Sequence, residues 1–310
     1  MGRCLWQPTD TQIQATRMFR FMTRINQRYG TDFDSYAGLY QWSVDHIAEF
    51  WREMWDEAGI IASAPYGAVI DDVSKMPGAR WFEGARLNFA ENLLRYRDDR
   101  PALVFCGEDR VRRTLTYAQL YDQVARVAKA LEACGVTAGD RVAGFVPNMP
   151  EAIIAMLAAT SLGATWSSCS PDFGIKGVLD RFGQIRPKVL FTADGYWFKG
   201  KPLDCLARVA DIAAQIPSLE RLGGIPYLDA HPDIGHIPKA VTLDDFTSPT
   251  DGLKIDFAQL PFDHPLYVMY SSGTTGLPKC MVQSAGGILI HHLKELMLHT
   301  DLSRSDTIFY

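Results

Sequence analysis

The chain has 310 residues, 47% of them hydrophobic and 22% charged, with a formal net charge of -5 and a pI near 5.8. This balance fits a globular protein with a sizeable core and argues against disorder and against a nucleic-acid partner, which calls for a basic face. Six cysteines (Cys4, Cys106, Cys134, Cys169, Cys205, Cys280) form no C-x-x-C pair and read as reduced thiols, and the longest apolar run, around 152–159, is far too short to span a membrane.

Residues 1–100 read as a helical N-terminal extension. Between 11 and 30, Arg17, Arg20, Arg24 and Arg28 occur with no acidic residue among them, and Ile13, Met18, Phe21, Met22 and Ile25 form an apolar stripe. Two readings fit such a segment: a mitochondrial presequence, or a surface helix docked on the domain. Further on, Trp42, Ile47, Phe50, Trp51, Met54 and Trp55 recur at helical spacing until Gly59, a stripe that reads as packing. Residues 80–94 read as an arm leading into another helix.

Residues 101–310 follow an α/β pattern. Segments 102–106 and 111–115 flank a turn and predict a hairpin. Thr116 opens a helix with a capping box, its hydroxyl taking the Gln119 amide while the Gln119 side chain reaches back. Leu120, Val124, Val127, Ala128 and Leu131 mark the buried face, and Gly135 the end. A strand at 141–146 leads to a helix at 149–162, capped by Asn148 with Pro150 in its first turn, and then to a strand at 164–168. Two strands joined by such a helix form a βαβ unit with parallel strands. The alternation continues with a helix at 174–185, a strand at 188–192, a helix at 203–215 and a strand at 266–270, while 223–261 reads as mostly loop. The fold expected is an incomplete α/β domain with a mostly parallel sheet, preceded by the helical extension.

One segment carries chemistry. After the apolar strand at 266–270 comes Ser271-Ser272-Gly273-Thr274-Thr275-Gly276-Leu277-Pro278-Lys279. Serine, threonine and glycine at this density leave backbone amides uncovered and supply hydroxyl donors, and the final lysine adds positive charge. Those are the requirements for wrapping a polyphosphate. The string is not a Walker A loop, because Leu277 and Pro278 separate Gly276 from Lys279, and no G-x-G-x-x-G occurs. Cys169 has no arranged base beside it, so no nucleophile is assigned there. His291 and His292 point to different faces of a helix, and Asp244 and Asp245 read as surface charges.

The string 271–279 resembles the phosphate-binding signature of the adenylate-forming superfamily of acyl-CoA synthetases, luciferases and peptide-synthetase adenylation domains. Other blocks narrow the resemblance. Tyr40-Gln41-Trp42-Ser43, Phe50-Trp51, the arm at 80–88, Ala90-Glu91-Asn92-Leu93-Leu94, Trp166-Ser167-Ser168-Cys169-Ser170-Pro171-Asp172-Phe173-Gly174 and Val178-Leu179-Asp180-Arg181-Phe182 resemble the N-terminal region of acetoacetyl-CoA synthetases. Acetyl-CoA synthetases share the arm in looser form and differ in the last block. Gln283 departs from the pattern, standing where related enzymes usually carry histidine.

The resemblance implies activation of acetoacetate by ATP through an acyl-adenylate, with Mg2+ on the phosphates, followed by transfer to coenzyme A. On this reading Ser271, Ser272, Gly273, Thr274, Thr275 and Gly276 hold the β- and γ-phosphates, and Lys279 neutralises charge as pyrophosphate leaves. Lys199, Gly200 and Lys201 are candidates for the phosphates of CoA, with a solvated turn as the alternative. The partners implied are the small molecules ATP, acetoacetate and CoA, with no membrane or nucleic acid, in the cytoplasm or, alternatively, the mitochondrial matrix. The family's adenine loop, ribose aspartate and mobile C-terminal domain would follow Tyr310, so these 310 residues alone are expected to have little ligase activity. Two rivals remain: a ligase for acetate or propionate, and a non-catalytic nucleotide-binding or interaction module.

Overall fold

The computed structural model describes residues 5–108, 111–247, 250, 252–272 and 276–309, and by packing the chain divides into two units. One comprises residues up to Ala85 together with those from Gly286 onward; the other is Arg86–Ala285. By packing, the division falls at residue 85. The residues beyond 285 join the first unit through contacts such as the Arg17 amide donating to Asp301 Oδ1 at 2.9 Å.

The first unit contains α1 (Asp10–Ala15), α2 (Arg17–Tyr29), α3 (Tyr36–Asp45), α4 (Ile47–Ala58), β1 (Ala62–Ala64), β2 (Ala68–Ile70) and β3 (Trp81–Glu83). Phe21, Met22 and Ile25 of α2 are buried, so that part of the apolar stripe is core, while Met18 is half-buried and Ile13, on α1, is exposed. The arginines find their acids across the interface on α4. Arg28 Nη1 lies 3.0 Å and Arg24 Nε 3.6 Å from the Glu53 carboxylate, which also accepts from Tyr29 Oη at 3.0 Å. Glu53 is fully buried, and a carboxylate in that position needs such cations around it. The run read as one helix is two, broken at His46, where the backbone leaves helical geometry. Gly59, at φ +55°, ends α4 in the left-handed conformation that favours glycine.

The second unit opens with β4 (Arg86–Leu87) and α5 (Phe89–Leu93), followed by the expected hairpin of β5 (Pro101–Cys106) and β6 (Arg112–Thr116). Then come α6 (Tyr117–Ala133), β7 (Arg141–Phe145), α7 (Pro150–Ser161), β8 (Thr165–Cys169), α8 (Ile175–Ile185) and β9 (Val189–Ala193). Next are β10 (Gly195–Phe198), β11 (Lys201–Asp204), α9 (Leu206–Ala214), β12 (Arg221–Ile225), β13 (Ala240–Thr242) and α10 (Leu243–Phe246). The unit closes with β14 (Leu260–Pro261), β15 (Pro265–Ser271) and β16 (Lys279–Ser284), after which α11 (Ala285–Lys294) leads into the first unit. The Thr116–Gln119 capping box forms in both directions, at 3.2 and 2.9 Å. Asn148 is not the cap expected of it. Met149 holds that position without a side-chain bond, and Pro150 alone sets the start of α7.

Seven strands form one sheet in the order β13-β12-β9-β7-β8-β15-β16. All neighbours pair in parallel except β15 with β16. The faces follow from the two-residue period of a strand. Ala143, Phe145, Leu190, Leu222 and Val268 pack with Val178 and Phe182 of α8 and Val209 and Ile212 of α9. Phe191 and Ile225 turn to the other face, toward α6 and α7. Each large side chain so buried contributes about 1.5–3 kcal/mol.

The stretch 223–261, expected to be mostly loop, supplies the end of β12 and all of β13 and α10. Gly223 and Gly224 hid the first of these. A Cβ on Gly223 would sit 2.8 Å from the Phe191 ring, so the glycine marks close strand packing rather than a turn.

Candidate functional site

Chain direction locates the site. The chain leaves β8 for β9 on one side and leaves β15 for β16 on the other, and β8 and β15 are neighbours in the sheet. Their C-terminal ends therefore diverge, the position where open parallel sheets bind ligands. The segments that follow them are 170–174 and the hydroxyl-rich loop.

Ser271 pairs directly with Lys279 across β15 and β16, so the loop is the connection of a hairpin. Paired positions project to one face, which brings the Ser271 hydroxyl and the Lys279 ammonium to the same side of the neck. The sequence reading has no strand at β16. Ser272, Gly276 and Lys279 are exposed, and Gly276 has φ +103°, a conformation open to glycine. Gly273, Thr274 and Thr275 lie outside the described residues. Among the described residues no carboxylate lies within salt-bridge range of Lys279.

Helix α8 meets both ends of the loop. The Arg181 guanidinium lies over the Phe173 ring at 4.3 Å and the Tyr270 ring at 5.6 Å, and Nη1 donates to Gly177 O at 2.7 Å. One turn on, the Gln184 amide donates to Asp180 O at 2.7 Å and to Pro278 O at 2.9 Å. From β8, Ser167 Oγ donates to Val268 O at 2.7 Å and bonds Tyr270 Oη at 3.2 Å.

The segment after β8 is locked as well. Asp172 accepts from Tyr196 Oη at 2.8 Å and from Ser170 Oγ at 2.9 Å, while Arg208 donates to Pro171 O at 3.0 Å. Tyr196 begins the β10–β11 hairpin, whose two-residue tip is Lys199-Gly200, with Phe198 paired to Lys201. Lys199 (φ +51°) and Gly200 (φ +74°) are both left-handed, as a tight right-twisted hairpin requires. The Gly200 amide donates to Glu108 Oε2 at 3.1 Å, so a carboxylate already occupies the amide at the tip of the turn.

Other polar groups have structural explanations. Asp194 is buried and accepts from the amides of Tyr227, Leu228 and Asp229, which anchors a loop. Cys169 is buried, which pushes its thiol up to about 12 and removes it as a nucleophile. Thr242 caps α10, its hydroxyl accepting from the Asp245 amide at 3.1 Å and donating to the Asp245 carboxylate at 2.7 Å, whereas Asp244 borders a cavity of about 290 Å³ between α6, α7 and α10, away from the loop.

The sequence singles out residues 271–279 and 199–201 but not the residues packed against them, Arg181, Gln184, Asp172, Tyr196 and Glu108. Arg181 and Asp172 stand within blocks singled out for resemblance. Nothing in spacing marks Gln184 or Glu108, because their partners are 94 and 92 residues away.

Residues 89–309 match the family described as AMP-binding enzyme, and residues 36–93 match the acetyl-coenzyme A synthetase N-terminus. The acetoacetyl-CoA synthetase of Mus musculus is 45% identical, the alignment covering 99% of this chain and 46% of that protein. The acetoacetyl-coenzyme A synthetase of Rhizobium meliloti is 44% identical, covering 99% and 47%. A malonamoyl-CoA synthetase of Penicillium aethiopicum is 37% identical, covering 99% and 44%. Among solved structures, acetoacetyl-CoA synthetase from Streptomyces lividans superposes with a TM-score of 0.90 at 44% identity, over 97% of this chain and 46% of that one. The chain thus spans about half the length of the curated relatives it matches.

Proposed function

The chain belongs to the AMP-binding enzyme family, and from that premise we propose that it supplies the phosphate-binding half of an acid–CoA ligase acting on acetoacetate. One observation carries the reading. The loop 271–279 stands at the diverging C-terminal ends of two parallel strands, with a hydroxyl and an ammonium paired at its neck.

A carboxylate is a poor acyl donor because its leaving group would be oxide. In the proposed reaction the acetoacetate carboxylate attacks the α-phosphorus of ATP and the bond to pyrophosphate breaks. The CoA sulfur then attacks the acyl carbon, AMP departs, and the thiol proton is released. The hydroxyls of Ser271 and Ser272 and the ammonium of Lys279 are donors suited to phosphate oxygens, and Mg2+ would be carried on those same oxygens. Lys279 would stabilise the charge that accumulates on the departing pyrophosphate, and Lys199, Gly200 and Lys201 would meet phosphates of CoA. The adenine, the ribose and the acid would be held by segments beyond this half, so the 310 residues alone would turn over little substrate.

Two acids named among the relatives, acetoacetate and malonamate, both carry a carbonyl on C3. That favours a 3-oxo acid over acetate or propionate. Similarity to a bacterial relative over nearly the whole chain supports a cytoplasmic setting; among the described residues no helix is long and apolar enough to cross a membrane. The test is acid-dependent exchange of labelled pyrophosphate into ATP by the full-length protein. Exchange with acetoacetate well above that with acetate or propionate is expected. Binding of ATP without exchange for any acid would remove the ligase reading.

A further inference from the structure

The seven residues of the loop between its paired neck positions, Ser271 and Lys279, have to present their donors together. A glycine-rich loop of that length is costly to order, since each residue fixed loses about 1–2 kcal/mol of backbone entropy. A loop that binds at useful affinity is therefore ordered in advance by something outside it.

The two feet of this loop are at its ends: Tyr270, just before Ser271, and Pro278, the last residue before Lys279. Both are held by one helix. Arg181 lies over the Tyr270 ring, and its own direction is fixed by Gly177 O and by the Phe173 ring. Gln184 donates one amide hydrogen to Pro278 O and the other to Asp180 O in its own helix, which fixes the carboxamide. Arg181 and Gln184 are three residues apart and so share a face of α8. The adjoining face, through Val178, Phe182 and Ile185, is rooted in the core. Ser167 of β8 holds the Tyr270 hydroxyl. Burial pushes the Tyr270 phenol up, which keeps it neutral as a bonding partner for Ser167.

We propose that Arg181 and Gln184 are positioning residues that clamp the two feet of the phosphate loop to α8 and so hold its donors ready for the polyphosphate. The inference rests on the reading of the loop as a phosphate site, and it adds residues that touch no substrate. It also gives the cation at 181 a specific requirement. The guanidinium contributes through the aromatic faces it covers and through its bond to Gly177, so lysine can replace the first contribution but only part of the second.

The experiment uses the chain itself with inorganic tripolyphosphate as probe, which needs no adenine, ribose or acid site. Binding is measured by calorimetry for the parent chain, Gln184→Met, Arg181→Met, Arg181→Lys and Lys279→Ala. Gln184 is exposed, so Gln184→Met removes the donor while leaving the melting temperature unchanged, and a weakening of about fivefold is expected, the worth of one hydrogen bond. Arg181→Met is expected to weaken binding by a similar factor, with partial recovery in Arg181→Lys. If Lys279→Ala abolishes binding while Gln184→Met and both Arg181 variants bind within twofold of the parent, the clamp is wrong and the phosphate reading survives. If Lys279→Ala also binds like the parent, the loop is not the phosphate site and the clamp falls with it.

Discussion

The molecule carries two hairpins in which lysine and glycine lie close in sequence, and they are built on opposite plans. In the β15–β16 hairpin the neck is closed by Ser271 and Lys279 and the connection between them is long and rich in hydroxyls. In the β10–β11 hairpin the connection is only Lys199-Gly200, both left-handed, and the Gly200 amide is already bonded to Glu108. The first carries the hydroxyls and amides that the proposed polyphosphate site calls for. The second can offer one amide and two side-chain charges, and a ligand there has to compete with a carboxylate of the same chain. Lysine beside glycine is therefore no sign of a site by itself; the number of uncovered donors and what already occupies them decide what a turn can bind.

The largest effect expected separates the two hairpins outright. Lys279→Ala in the full-length enzyme should lower acetoacetate-dependent pyrophosphate exchange by about 10²–10³-fold, with the melting temperature unchanged because the side chain is exposed. An unchanged exchange rate would erase the distinction. Reversing charge at Lys199 and Lys201 together should weaken apparent CoA affinity by about tenfold and leave pyrophosphate exchange alone, since CoA takes no part in the first step. Intact CoA affinity in that variant would reduce the β10–β11 hairpin to a solvated turn.

Two thiols report on the same contrast more gently. Cys280 follows Lys279 on β16 and Cys106 precedes the Glu108 turn, and both are exposed. Tripolyphosphate should slow alkylation of Cys280 severalfold while leaving Cys106 at its own rate; equal protection of both would place the anion elsewhere. Cys169 should stay unlabelled near pH 8, because burial raises its thiol from 9.0 to about 12. The neutral thiol is the form the fold prefers, so its contribution to stability is complete below about pH 9 and is lost as pH rises toward 12. The smallest effect belongs to Glu108. Glu108→Ala should tighten CoA binding about two- to threefold, in keeping with the modest worth of an exposed hydrogen bond. Weaker binding would mean the carboxylate supports the turn rather than competing for it.

How far the sequence disclosed these features depended on how local their causes are. The capping box at Thr116 and Gln119, the left-handed stop at Gly135 and the hairpin of β5 and β6 are set by residues within a few positions of one another, and all form as read. The proposed phosphate loop stands out in sequence because its residue types are contiguous. The end of β12 does not, because Gly223 answers to the Phe191 ring and Gly224 to Ile234 rather than to their neighbours in sequence. The acids that satisfy Arg24 and Arg28 stand on another helix, so a charge pattern that read as unbalanced along one segment is balanced in space. Gln184 and Glu108 belong to the same class: an ordinary residue becomes a support only when the fold brings a distant carbonyl or amide to it.

Among the described residues β16 lies at the edge of the sheet, and Cys280, Met281 and Val282 beside Lys279 are exposed along it. An exposed strand with apolar side chains is a template for sticking to its own kind, and a lysine on such a strand is a common defence. Lys279 is the single charge in β16, so it serves as the gatekeeper of this strand as well as the proposed partner of pyrophosphate. Removing it would invite self-association as well as loss of chemistry. Lys279→Arg preserves the defence, whereas Lys279→Ala gives it up, and light scattering on the two would show how much of the strand's solubility depends on one ammonium.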